Sequence, residues 1–182
     1  AGLITVDKAV VVVAAKSAGL SDANFSVFNT GLLLKILSEN FIFDTSSHTL
    51  VCGILNITPD SFSDGGKWDE PQKALEHALE MQSLGADIID VGAQSTRPGS
   101  TRLSVEEENA RLIPVLDLLK DKITVPISVD TFYPECARTA LTHGAKIIND
   151  VSGEASDEMA RVVGEYRAGW IIMHNPAGAD AV

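Results

Sequence analysis

The strongest constraint on this chain is a series of short apolar runs, each ending in a polar residue. Strand candidates cover Leu50–Leu55, Ile88–Val91, Ile127–Val129, Lys146–Ile148 and Trp170–Met173. Short runs of this kind suit strands of a parallel sheet buried on both faces. Helical patterns lie between them. Leu75, Ala78, Leu79 and Gln82 share one face, with Asp69 and Gln72 spaced as a capping box and Gly85 as the stop. Ser104 and Glu107 repeat that box ahead of Leu112, Val115, Leu116 and Leu119. Pro134 suits the first turn of a helix carrying Ala137, Ala140 and Leu141, which ends at Gly144. A weaker helix spans Asp157 to Tyr166. Strand and helix alternate, the order of a parallel α/β architecture.

The polar strand ends choose between the two common versions of that architecture. They are Asn56, Asp90, Asp130, Asn149-Asp150 and His174-Asn175. In a (β/α)8 barrel all C-terminal strand ends converge on one mouth, whereas in an open sheet only the switch point is functional. No G-x-G-x-x-G follows any strand. The expected fold is therefore a (β/α)8 TIM-barrel type, with about the first five βα units in this chain. Residues 41–182 form this incomplete barrel domain, and residues 1–40 are an N-terminal segment with no assigned structure. Within that segment Ala9–Ala15 fits a strand or a helix, Ser21–Asn24 a loop and Leu32–Leu37 a helix interior. Phe41–Asp44, Thr45–His48 and the strand from Leu50 read as a β-hairpin, with His48 a solvated turn residue.

Net charge is −11 over 182 residues. That argues against nucleic acid or an anionic membrane as partner, since both need a basic surface. It leaves room for an anionic small ligand, because a metal ion and one or two Arg side chains reverse the local potential. Cys52 and Cys136 fall in an apolar strand and a helical pattern, the placing of buried free thiols in a reducing compartment. No apolar run approaches a membrane span. Ala9–Ala15 after Lys8 is short for a signal peptide, and no clear cleavage region follows it.

Two loops carry oxygen-rich chemistry. The first, Asn56 through Gly66, leaves a buried strand and runs through Thr58-Pro59-Asp60-Ser61 and Ser63-Asp64-Gly65-Gly66, with Phe62 an aromatic between them. The second, Asp90 through Ser100, holds Ser95, Thr96 and Arg97 in a Gly- and Pro-shaped excursion. Two hydroxyls beside a guanidinium suit a phosphate, although Arg97 alone is equally a surface residue in a turn. Arg102 reads as solvated. Asn56 offers a neutral oxygen to a Mg²⁺ that keeps most of its waters and shares substrate phosphates; on the strand alone a hydrogen-bonded turn residue is the commoner reading. Asp130 and Asn149 offer a carboxylate and an amide that can pair with the edge of a flat heterocycle, or can cap the following helices. His174 reads more readily as a structural residue than as a base, and His77 and His143 as surface residues. There is no zinc spacing and no nucleophile elbow, so covalent catalysis is not suggested.

The stretch Gly53–Gly66, G-I-L-N-I-T-P-D-S-F-S-D-G-G, resembles the signature of the dihydropteroate synthases, the folate-pathway enzymes targeted by sulfonamides. The likeness continues through Gly85–Gly92, Ser95–Gly99, Ile127–Thr131 and Gly144–Asp150, and covers roughly Leu50 to Asn175. It implies a (β/α)8 barrel and a transferase joining p-aminobenzoate to 6-hydroxymethyl-7,8-dihydropterin pyrophosphate, with Mg²⁺ as cofactor. It implies that Asp130 and Asn149 hold the pterin edge, with Val151 and Met173 packing near it and Asp90 close by. Asn56 would bind the Mg²⁺–pyrophosphate, Thr96 and Arg97 would contact the pyrophosphate, and Thr58, Pro59, Phe62 and Ser63 would help form the p-aminobenzoate pocket. Asn56, Asp60 and Arg97 are the expected catalytic residues. A homodimer in the cytoplasm is the expected setting.

Gln94 stands where that family usually has Glu. The family's later strands bring an Asp, a Lys, a Ser-Arg-Lys segment and an Arg-x-His pair, and none follows before Val182. The expectation is weak activity or none from these 182 residues alone. The alternatives are a methyltetrahydrofolate-dependent methyltransferase type of pterin-binding barrel, or a non-catalytic fragment that needs another chain.

Overall fold

The computed structural model describes residues 35–37, 42–44, 50–58, 70–94 and 102–172. Two short strands come first, β1 (Lys35–Leu37) and β2 (Ile42–Asp44), paired antiparallel with Ile36 opposite Phe43. Two sequence expectations fail here. Lys35–Leu37 is a strand rather than part of a helix interior, and β2 pairs with β1 rather than with the strand from Leu50. An unbroken apolar run carries no period, so pairing decides between helix and strand. Ala9–Ala15, Ser21–Asn24 and the turn Thr45–His48 lie outside the described residues.

From β3 (Cys52–Asn56) the chain alternates through α1 (Glu70–Ser83), β4 (Ile88–Gly92), α2 (Val105–Leu119), β5 (Ile127–Asp130), α3 (Pro134–Thr142), β6 (Ile147–Asp150), α4 (Asp157–Glu165) and β7 (Gly169–Ile172). The five strands β3 to β7 are parallel and lie side by side in chain order. A doubly wound sheet would reverse its order at a switch point, whereas a barrel advances steadily. This is the strand order of a (β/α)8 barrel.

Helix boundaries follow local chemistry. Ser104 caps α2, its hydroxyl accepting from Glu107 N–H while the Glu107 carboxylate accepts from Ser104 N–H, as expected. Pro134 opens α3, and Gly144 follows its end at φ 103°, a conformation glycine adopts without steric cost. Asp69, half of the capping box expected before α1, lies outside the described residues.

The helices cover one face of the sheet. Leu112, Val115, Leu116 and Leu119 of α2 are buried, as are Ala137, Ala140 and Leu141 of α3 and Met159, Val162 and Val163 of α4. Truncating a buried leucine such as Leu116 to alanine costs about 2–5 kcal/mol. On α1 the buried stripe is Ala74, Leu75 and Ala78, while Leu79 is exposed. The expected face was rotated by one position, and Gln82 bonds to the loop before β5 instead of packing.

Candidate active site

Side-chain alternation sorts the strands into an outer and an inner face. A Cβ on Gly53 would meet Met81 of α1 and Ile89 of β4, so Gly53 and Leu55 look outward at the helices. Cys52, Ile54 and Asn56 therefore face inward. Register carries this across the sheet, because Ile54 pairs with Asp90, Asp90 with Ser128, and Ser128 with Ile147. One step further along, Asn56 pairs with Gly92, Gly92 with Asp130, Asp130 with Asn149, and Asn149 with Ile171. Asn56, Asp130 and Asn149 thus lie in one row at the C-terminal rim, and Asp90 lies one row below.

Two strand-end assignments change with this register. Asp90 is not at the end of β4, because the strand continues to Gly92. Asp150 points the other way from Asn149, and its carboxylate accepts from Ser152 N–H at 3.0 Å. Of that pair only Asn149 belongs to the inner face.

Asp90 and Asn149 are bound to each other. The Asn149 amide donates to Asp90 Oδ2 at 3.0 Å, which leaves its carbonyl oxygen to offer a ligand. Asp90 Oδ1 is buried with no hydrogen bond of normal geometry, although the Ser128 hydroxyl lies near enough to favour the charged carboxylate. Burial pushes the Asp90 carboxyl above its usual range, against the opposing pull of the Ser128 hydroxyl and the Asn149 amide. Asp130 is pushed up to about 8, first by burial and then by the charges of Asp90, Glu108 and Asp150. Carboxylates held this far from their ordinary range, with an oxygen unsatisfied, are suited to a ligand that brings several N–H donors. Cys52, below Asp90, is pushed up to about 12 by burial and the Asp90 charge, so it is an inert thiol in the barrel floor.

Asn56 is exposed at the rim. Among the described residues no group of three or more His, Cys, Asp or Glu is arranged to hold a metal. A single amide oxygen fits a Mg²⁺ that arrives with substrate phosphates, not a resident ion caged by protein. Thr58 is half-buried two residues on, after Ile57 N–H bonds Gly92 O at 2.9 Å and holds the start of the loop to β4. Val151 is half-buried in the turn after β6. Pro59, Asp60, Phe62, Ser63, Thr96, Arg97, Met173 and His174 lie outside the described residues.

Sequence reasoning missed Glu108. It is completely buried on α2, where its carboxylate accepts from the Gln94 amide just past β4. Burial raises its pKa, while the Thr131 hydroxyl beyond β5, Gln94 and Cys136 favour its charged form. Arg111, one turn on, donates to Ala93 O at 3.1 Å. Together they tie α2 to the outgoing ends of β4 and β5. The signal was available, since Glu108 shares the apolar stripe of Leu112, Val115 and Leu119. Gln94, noted as a departure from the family, is the donor to this carboxylate. Arg102 is not simply solvated, for its guanidinium sits 5.1 Å from the Phe132 ring centroid. Tyr133 OH donates to Leu103 O at 2.9 Å, a second link between the same two loops. His143 is half-exposed and pairs with Asp117, also half-exposed, at 3.0 Å.

Residues 52–181 match the family of pterin-binding enzymes. The chain belongs to that family. It is 52% identical over 128 residues to dihydropteroate synthase of Bacillus subtilis, covering 70% of this chain and 45% of that protein. Against dihydropteroate synthase of Clostridium beijerinckii it is 45% identical over 143 residues, 78% of this chain and 52% of the other. It superposes on dihydropteroate synthase of Xanthomonas albilineans with 4-aminobenzoic acid at TM-score 0.72 and 40% identity, covering 80% of this chain and 53% of that one. It also superposes on dihydropteroate synthase of Clostridium difficile in the presence of pteroic acid, at TM-score 0.70 and 47% identity, covering 75% and 52%. The chain spans about half the length of the relatives it matches. The resemblance read from the motifs and the barrel order are both borne out.

Proposed function

We propose that the protein is a dihydropteroate synthase. It would condense p-aminobenzoate with 6-hydroxymethyl-7,8-dihydropterin pyrophosphate to give dihydropteroate and pyrophosphate. The observation that carries this reading is the inner-face set of Asp90, Asp130 and Asn149, with an orphaned carboxylate oxygen and a carboxyl pushed up to about 8. A pterin edge offers N–H donors to the two carboxylates and to the Asn149 carbonyl oxygen. Val151 and Met173 pack near the ring. The arylamine nitrogen attacks the exocyclic methylene as the C–O bond to pyrophosphate breaks; the electron pair leaves on the pyrophosphate oxygen, and the amine releases a proton.

No protein nucleophile is required. Asn56 would hold Mg²⁺, which when bound stabilises the negative charge on the departing pyrophosphate. Thr96 and Arg97 bind that anion, and Thr58, Pro59, Phe62 and Ser63 shape the p-aminobenzoate pocket, with Asn56, Asp60 and Arg97 carrying catalysis. The acidic charge of −11 disfavours nucleic acid, and among the described residues no helix is long and apolar enough to cross a membrane. A cytoplasmic homodimer acting on small molecules completes the reading. Pyrophosphate release by the full-length protein should require both substrates and Mg²⁺; no release under those conditions overturns it. Tight binding of methyltetrahydrofolate in preference to the pterin pyrophosphate would move the protein to the methyltransferase branch instead.

A further inference from the structure

Three glycines illustrate two reasons for that residue and one case where both fail. Gly53 is needed for packing, since a Cβ there would lie 2.8 Å from Met81 Sδ. Gly144 has φ 103° and would meet Lys120 Cβ at 2.8 Å, so conformation and space both require it. Gly92 has neither excuse. Its φ is outside the left-handed region, and it pairs in register with Asn56 on one side and Asp130 on the other, so it marks no bulge. A Cβ there would meet Asn56 Oδ1 at 3.4 Å and Asp130 Cβ and Oδ2 at 3.8 Å, all ordinary contacts. Gly92 is the last residue of β4, at the open rim between Asn56 and Asp130, and among the reasons for a strand glycine this position points to close approach by a ligand.

We propose that Gly92 is a specificity-determining residue, whose missing side chain leaves the space between Asn56 and Asp130 that a flat heterocyclic ligand occupies. The inference rests on the pterin reading of the site. The ring edge is held by Asp130 and Asn149, and the substituent that leads to the phosphates runs toward Asn56. Gly92 lies between these two ends in the same row, so the bare Cα forms the floor beneath the link between ring and leaving group. Any side chain at this position rises into that link.

The test is a size series, Gly92→Ala, Gly92→Ser and Gly92→Val, in the full-length protein, with thermal melting and titration of 6-hydroxymethylpterin. Gly92→Ala is expected to melt no lower than the parent and to bind at least tenfold more weakly, with the loss deepening as side-chain volume grows. A Gly92→Ala variant that keeps its melting temperature and loses less than tenfold in affinity overturns the proposal. So does one that melts several degrees lower, because the glycine is then structural. Asp130→Asn separates the two levels. If it binds like the parent, the pterin-site reading has failed and the proposal falls with it; if it loses binding while Gly92→Ala does not, only the proposal has failed.

Discussion

The two ends of the same five strands are built on opposite principles. At the N-terminal end, polar groups are satisfied. Asp87 Oδ2 accepts from Val51 N–H at 2.8 Å, and Gln82 Oε1 accepts from Thr124 N–H at 2.7 Å, the Thr124 hydroxyl at 3.1 Å and Val125 N–H at 3.3 Å. At the C-terminal end, buried Asp90 and half-buried Asp130 lie close together, with pKa values raised and one Asp90 oxygen lacking a hydrogen bond of normal geometry. A buried polar group left unsatisfied costs about 1–3 kcal/mol, so such groups persist where a ligand completes them. The lower end holds the chain together, and the upper end stores unmet bonding capacity.

The sharpest way to break this contrast is at Asp130. Asp130→Asn should weaken 6-hydroxymethylpterin binding by about a hundredfold, the scale of a lost charged hydrogen-bond pair, while leaving the melting temperature equal or higher. Calorimetric titration and a melt on the same sample check both halves. Glu108 tests whether the upper end has a structural member. Glu108→Ala should cost about 2 kcal/mol of stability in denaturant unfolding, because Gln94 loses its buried acceptor, and Glu108→Gln should recover most of it. Gln82→Ala belongs to the lower end. A loss of about 1–2 kcal/mol with unchanged pterin affinity is expected, since it strips the acceptor from two backbone N–H groups. A change in affinity there would show that the ends are coupled.

A pH slope tests the same carboxyl from another side. Asp130 is about 8 in the folded protein and about 3.9 when unfolded. Below about pH 4 it is neutral in both states and its contribution to stability is full. As pH rises toward 8 the unfolded chain ionises and the folded one does not, so stability falls. Asp130→Asn should flatten that slope in ligand-free unfolding curves. Pterin affinity of the parent should run the other way and rise with pH, because the bound form needs the carboxylate.

How much of this was legible in the sequence differs by element. The capping box at Ser104 and the stop at Gly144 were readable because each depends on a few adjacent residues. So were the buried stripes of α2 and α3. The pairing of β1 with β2 was not, since strand partners are chosen by contacts the local pattern does not contain. The face of α1 was misjudged by one position because Leu79 and Gln82 fit the period yet serve other ends.

The candidate site divides along the same line. Residue type and order alone determined that Asn56, Asp90, Asp130 and Asn149 would gather at one end of a parallel sheet, because every βα unit returns its strand in the same direction. Only the tertiary structure decided that Asp90 sits a row below the others, that Asn149 is its partner, and that Asp150 is turned away. Only there does Glu108 on a helix meet Gln94 from the loop after β4. Register is a relation between strands, and burial is a relation among all of them, so neither can be read from one stretch of chain.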